Sequence, residues 1–177
     1  MSEEQKYFGT LLQCYDIILV GDGSGINKEC AWAVVALNGV TQQVNLYLGS
    51  SSRSTINCAE LAGYLQALSD IHRKVTVKKR FKVLVISDSL VTVKCGNGEY
   101  QAKANVELWA TLSSLREFFD IEFMHCERCS TTLNTICDNL AGMVREAITP
   151  IQEEGLTWLK SWMDDELFVT LEVKPHA

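Results

Sequence analysis

The chain has 177 residues, 47% of them hydrophobic, enough for one compact domain with its own core and a short appendage. No run approaches the ~20 apolar residues of a membrane-spanning helix, and the opening Met1-Ser2-Glu3-Glu4-Gln5-Lys6 is too acidic and polar for a secretory leader. A cytoplasmic setting without a membrane partner is therefore expected. The formal charge of −6 argues against a nucleic-acid partner only until its distribution is read. From Glu146 to Ala177, seven acidic residues and two lysines carry −5 of it, and the main body is nearly neutral.

Residues 15 to 20 (YDIILV) read as an apolar strand that ends in Gly21-Asp22-Gly23-Ser24-Gly25, a turn whose glycines allow close ligand approach. Two β-rich runs follow, residues 30 to 37 and 42 to 49, separated by the hairpin dipeptide Asn38-Gly39. Beyond a Ser-rich loop, Leu61, Leu65 and Leu68 lie on one face of a helix beginning near Cys58. Residues 81 to 87 (FKVLVIS) are almost continuously apolar, as in a strand covered on both faces. Leu108, Leu112, Leu115 and Phe119 mark a second helix and residues 121 to 126 another strand. Ile136, Leu140, Met143 or Val144, and Ala147 mark a third helix, closed by Pro150.

The order β-β-β-α-β-α-β-α predicts an α/β fold, a five-stranded mixed sheet flanked by helices, over residues 1–150. Residues 151–177 form an acidic C-terminal extension. Leu156, Leu159, Trp162 and Met163 suggest an amphipathic helix, and residues 167 to 173 a strand or arm. Burial against the domain's own core is the expected role of that stripe, and contact with a protein partner the alternative.

Seven scattered cysteines, several inside predicted elements, read as reduced and mostly packed thiols. Cys126 and Cys129, with His125 and Cys137 nearby, lack the second ligand pair that a structural zinc site needs. The most basic run is His72-Arg73-Lys74-Val75-Thr76-Val77-Lys78-Lys79-Arg80-Phe81-Lys82. It reads equally well as a phosphate-facing patch and as a solvated loop.

Four acidic residues stand out by their placement at the ends of predicted elements. Asp22 and Asp88 each follow an apolar run, while Glu60 and Asp138 open helical segments. Strand tips and helix starts can gather at the carboxyl edge of an open sheet. Like charges brought that close must either stay protonated or be neutralised by divalent cations.

Five segments carry a family resemblance: Asp22-Gly23-Ser24, Thr55-Ile56-Asn57-Cys58-Ala59-Glu60-Leu61, Ser87-Asp88-Ser89, Asn105-Val106-Glu107-Leu108-Trp109, and Asn134-Thr135-Ile136-Cys137-Asp138-Asn139-Leu140-Ala141. In order and position they resemble type 1 ribonuclease H over roughly residues 13 to 148. The resemblance implies the ribonuclease H-like fold and a metal-dependent endonuclease that hydrolyses the RNA strand of RNA–DNA hybrids. It implies that Asp22, Glu60, Asp88 and Asp138 hold two Mg²⁺ ions, with Mn²⁺ as a substitute. Asp22 is expected to bridge the ions, Glu60 and Asp88 to hold the one on the leaving-group side, and Asp138 the one that activates water. Ser24, Asn27, Thr55, Asn57, Ser89, Arg128 and Asn134 are expected at or beside substrate-contacting positions, Asn134 supporting the last catalytic loop.

Three departures from the family pattern bear on function. Arg128 stands where many relatives place a loop histidine, and arginine does not shuttle protons at neutral pH. The sixteen residues between Asp88 and Asn105 are too few for the basic protrusion of many bacterial relatives, which shifts the expected grip on the hybrid to Arg73, Lys74, Lys78 and Lys79. Leu90 replaces a side chain that is often polar, which weakens the expected reading of the RNA 2′-hydroxyl. A DNA-cleaving nuclease or resolvase on the same fold, and a non-catalytic nucleic-acid-binding or protein-interaction domain, are the alternative readings.

Overall fold

The computed structural model describes residues 2–26, 29–52, 55–76, 79–146, 157–159, 161–162 and 170–175. Helix α1 (Glu3–Leu11) precedes an antiparallel meander of β1 (Ile17–Ile26), β2 (Glu29–Asn38) and β3 (Gln43–Ser52). The chain continues through α2 (Ile56–Lys74), β4 (Phe81–Ser87), α3 (Leu90–Gly96), α4 (Val106–Leu115), β5 (Phe119–His125), α5 (Thr132–Arg145) and β6 (Thr170–Pro175). The strand order is β5-β4-β1-β2-β3-β6. β4 runs parallel to both β1 and β5, so the sheet is mixed as expected, with the crossover helices on its faces.

β1 lies between β2 and β4, and its alternating side chains feed two cores. Ile17 and Leu19 join Tyr64, Leu68, Leu112 and Phe123 beneath α2 and α4. Ile18 and Val20 join Leu133, Ile136 and Leu140 of α5, together with Phe8 of α1. That double burial explains why residues 17 to 20 are uniformly apolar.

Several expectations change in detail. β1 does not end at Val20 but continues through Ile26, with Asp22 opposite Ala33. None of its glycines has a positive φ; they serve close packing against α2 instead of a turn. Asn38 is the last residue of β2. Its side chain accepts from Val40 N at 3.0 Å and Thr41 N at 3.1 Å, closing a loop in which Gln42 takes the left-handed conformation. Phe119 opens β5 and does not extend α4. Ala147 and Pro150 lie outside the described residues.

Two elements were not expected. α3 is a short helix capped by Ser89, joined to α4 by a nine-residue connection, residues 97–105. α1 carries a capping box in which Ser2 and Gln5 satisfy each other's backbone, a signature present in the sequence as Ser2-Glu3-Glu4-Gln5.

The described residues of the extension pack on the domain. Leu159 and Trp162 are buried in the α5-side core, and β6 pairs in parallel with β3 as a sixth strand beyond the five expected. Leu156 and Met163 fall outside the described residues. Among the described residues no helix is long and apolar enough to cross a membrane.

Candidate active site

β1 and β4 are parallel neighbours in register from Ile17↔Val83 to Val20↔Ile86, which puts Asp22 and Asp88 level with each other two residues further on. Glu60 reaches them from the second turn of α2. This approach depends on Gly21 and Gly23: a Cβ on Gly21 would lie 2.7 Å from the Tyr64 ring, and one on Gly23 2.8 Å from the carbonyl oxygen of Ile56. Without side chains at these two positions, α2 settles directly onto β1. Oxygens of Asp22, Glu60 and Asp88 come within 4.8 Å of one another.

Asp138 arrives differently from the sequence expectation. It lies in the middle of α5, not at its start. The buried thiol of Cys137 donates to the carbonyl of Val20 at 3.3 Å and fixes the helix against β1 one residue before Asp138. Asp138 shares a hydrogen bond with Asp22, while its Oδ1 lies 3.4 Å from Nη2 of Arg128.

Two residues outside the sequence expectation orient Glu60. Tyr64 Oη donates to Glu60 Oε1 at 2.9 Å, and Ser87 Oγ donates to the same oxygen. Ser87 Oγ also accepts from Ser89 N at 3.0 Å, so one hydroxyl braces Glu60 and the turn that presents Asp88. The sequence signals for these roles were the i,i+4 spacing of Glu60 and Tyr64 and the first serine of Ser87-Asp88-Ser89.

The site is electrostatically loaded. Burial, then Asp88, the hydrogen bond with Asp138 and the charge of Glu60 push the Asp22 carboxyl up to about 8. Burial raises Glu60 to about 7 despite the hydroxyls of Ser87 and Tyr64. Burial also raises Asp88, with Arg128 opposing. The cluster thus retains protons near neutrality, and a divalent cation is the natural ligand to displace them. The donor set fits such an ion, since it consists entirely of carboxylate oxygens.

The remaining expected site residues divide by position. Ser24 lies beyond Asp22 on β1, and its Oγ accepts from Arg145 Nη1 at 2.8 Å. Thr55 caps α2, accepting from Cys58 N at 3.1 Å. Asn57 and Ser89 face each other across the entrance, Ser89 Oγ lying 3.5 Å from Asn57 Oδ1. Arg128 is exposed beside Asp138. Asn134 is fully buried, so it supports the loop and does not reach a substrate; its Oδ1 accepts from Cys129 N at 2.6 Å. Asn27 falls outside the described residues. A hollow of about 520 Å³ adjoins Asn57, lined also by Thr92, Tyr100, Asn105 and Trp109.

The described cations of the basic run lie away from the carboxylates. Arg73 and Lys74 lie at the far end of α2, about 20 Å along the axis from Glu60, and both pair with Asp70. Lys79 pairs with Asp16, and Lys78 is outside the described residues. All seven cysteines are free, and among the described residues the carboxylate trio is the metal-competent group.

A carboxylate cluster at the end of a mixed α/β sheet defines a class of hydrolases whose chemistry runs on divalent cations. A model of the RNase H family matches residues 15–146, and the chain belongs to that family. Solved structures agree on the fold. The N-terminal RNase H domain of a Mycobacterium tuberculosis protein, fused to maltose-binding protein, superposes with a TM-score of 0.62 at 20% identity, covering 79% of this chain and 98% of that one. LC11-RNase H1, isolated from compost by a metagenomic approach and solved with an RNA/DNA hybrid, gives 0.63 at 20% identity, with 74% and 97% covered. RNase H1 from the archaeon Halobacterium salinarum gives 0.60 at 18% identity, with 75% and 98% covered. Comparison with curated protein sequences finds no significant match.

Proposed function

We propose that this protein is a ribonuclease H that hydrolyses the RNA strand of RNA–DNA hybrids. The observation that carries the reading is the convergence of Asp22, Glu60 and Asp88 within 4.8 Å, with Asp138 bonded alongside. Family membership supports it, as does a structural neighbour solved with an RNA/DNA hybrid. Two Mg²⁺ ions, or Mn²⁺ in their place, would neutralise the phosphate and lower the pKa of the attacking water when bound to these four carboxylates.

The protein's own contribution is orientation. Ser87 and Tyr64 hold Glu60 in one rotamer, the Ser87-Ser89 turn fixes Asp88, and Cys137 seats Asp138 against β1. Ser24, Asn57 and Ser89 offer hydroxyl and amide groups to the nucleic acid at the entrance, and Tyr100 and Trp109 supply apolar faces in the adjoining hollow. A cytoplasmic workplace belongs to the same reading, supported by seven cysteines that form no disulfide.

The test is cleavage of a labelled hybrid beside matched DNA and RNA duplexes, in Mg²⁺ and in Mn²⁺. Hybrid-only cleavage, abolished in Asp88→Asn while the fold is retained, is expected. Cleavage of the DNA duplex would favour the DNA nuclease, and an equally active Asp88→Asn would remove the assignment.

A further inference from the structure

We infer that Arg128 is a built-in counter-cation that occupies Asp138 until a second divalent ion displaces it, so that the site fills in two unequal steps. The inference rests on the proposed metal-binding role of the same carboxylates. Three of the four converge on one point, and the fourth, beside Asp22, also faces a guanidinium, with Arg128 Nη2 3.4 Å from Asp138 Oδ1. The first ion meets Asp22, Glu60 and Asp88, none of them ion-paired among the described residues, although the Arg128 charge also acts on Asp88 at longer range. The second must share Asp138 with a side chain that stays positively charged at every working pH.

The loop makes the arginine a fixed feature of the site. Cys129, the next residue, holds a left-handed φ of 54°, and its N–H donates 2.6 Å to the buried Asn134 Oδ1. Ser130 N closes the turn on Glu127 O at 3.1 Å. The backbone at 127–130 is therefore pinned from beneath, and it presents Arg128 toward Asp138. Its side chain is 76% exposed, so it can rotate away when a dication arrives. The displaced guanidinium, left beside the site, is then free to pair with a phosphate oxygen. Arg128 is in this sense a positioning residue that sets the order of filling.

The test is calorimetric titration of the full-length, metal-free protein with MnCl₂ and then MgCl₂, in the absence of nucleic acid. The wild type should show a tight step and a weaker one. Arg128→Gln should tighten the second step by about fivefold or more and the first by distinctly less. Arg128→Lys, which keeps the charge, should stay close to wild type, and Asp138→Asn should remove the second step. Thermal melts would verify that each variant folds, as expected for so exposed a side chain. A second step that Arg128→Gln leaves unchanged would overturn the inference while leaving the metal site intact. A wild type with no binding step at all would overturn both.

Discussion

Asp22 sits where burial and neighbouring carboxylates all favour its protonated form, and this gives the metal-free protein a specific pH dependence. With its pKa moved from 3.8 to about 8, the folded state keeps a proton that the unfolded state has released. Stability from this group is fully present below about pH 4 and is lost as the pH rises toward 8. Asp22→Asn should therefore melt higher than the wild type at pH 8 in chelator, by about 0.5–2 kcal/mol, and the gap should close toward pH 5. Denaturant titrations at the two pH values measure it; a gap that widens toward acid would contradict the electrostatic account. Gly23 is the steric counterpart. A methyl group there meets backbone, not a flexible side-chain end, so Gly23→Ala should lift α2 from β1, lower the melting temperature and cost most of the hybrid cleavage.

At the scale of elements, α1 and the extension act together although they stand at opposite ends of the chain. Glu4 Oε1 accepts from Thr132 N at the start of α5, and Glu4 Oε2 from Trp162 Nε1. Phe8 meets the Trp162 ring edge-on at 5.8 Å, and Gln5 donates to the Trp162 carbonyl. One acidic side chain thus ties the helix that carries Asp138 to the C-terminal extension. Trp162→Ala should destabilise the fold by about 3–5 kcal/mol in urea titrations, and an unchanged midpoint would mean that this contact is not formed in solution. The order of the elements was legible in the sequence because periodicity survives in single segments: Leu61, Leu65 and Leu68 for α2, and Ile136 and Leu140 for α5. α1 was missed because its burial is confined to Phe8 and Gln5, too few positions for a period, although its capping box was there to be read.

Over the whole molecule, charge and chemistry are segregated. The carboxylate cluster sits at one end of the sheet, and the cations Arg73 and Lys74 share the single carboxylate of Asp70 at the other end of α2. A divalent ion that binds only the folded protein should raise its stability by about 2.7 kcal/mol at a hundred times its dissociation constant. Thermal melting with and without Mn²⁺ reads this shift, and Asp88→Asn should reduce it sharply. An unshifted wild type would favour the non-catalytic reading.

The sequence by itself determined the α/β class and the order of the five central strands, and it singled out Asp22, Glu60 and Asp88, because apolar period and motif spacing are local properties of the chain. Only the tertiary structure decided which groups share the site. It brought Asp22, Glu60 and Asp88 together through strand register and two missing side chains, enlisted Ser87 and Tyr64, buried Asn134 behind its loop, and set Arg128 against Asp138. It also placed Arg73 and Lys74 at the far end of α2 from Glu60. Proximity between residues far apart in the chain depends on how helices and strands pack, and no single segment encodes that.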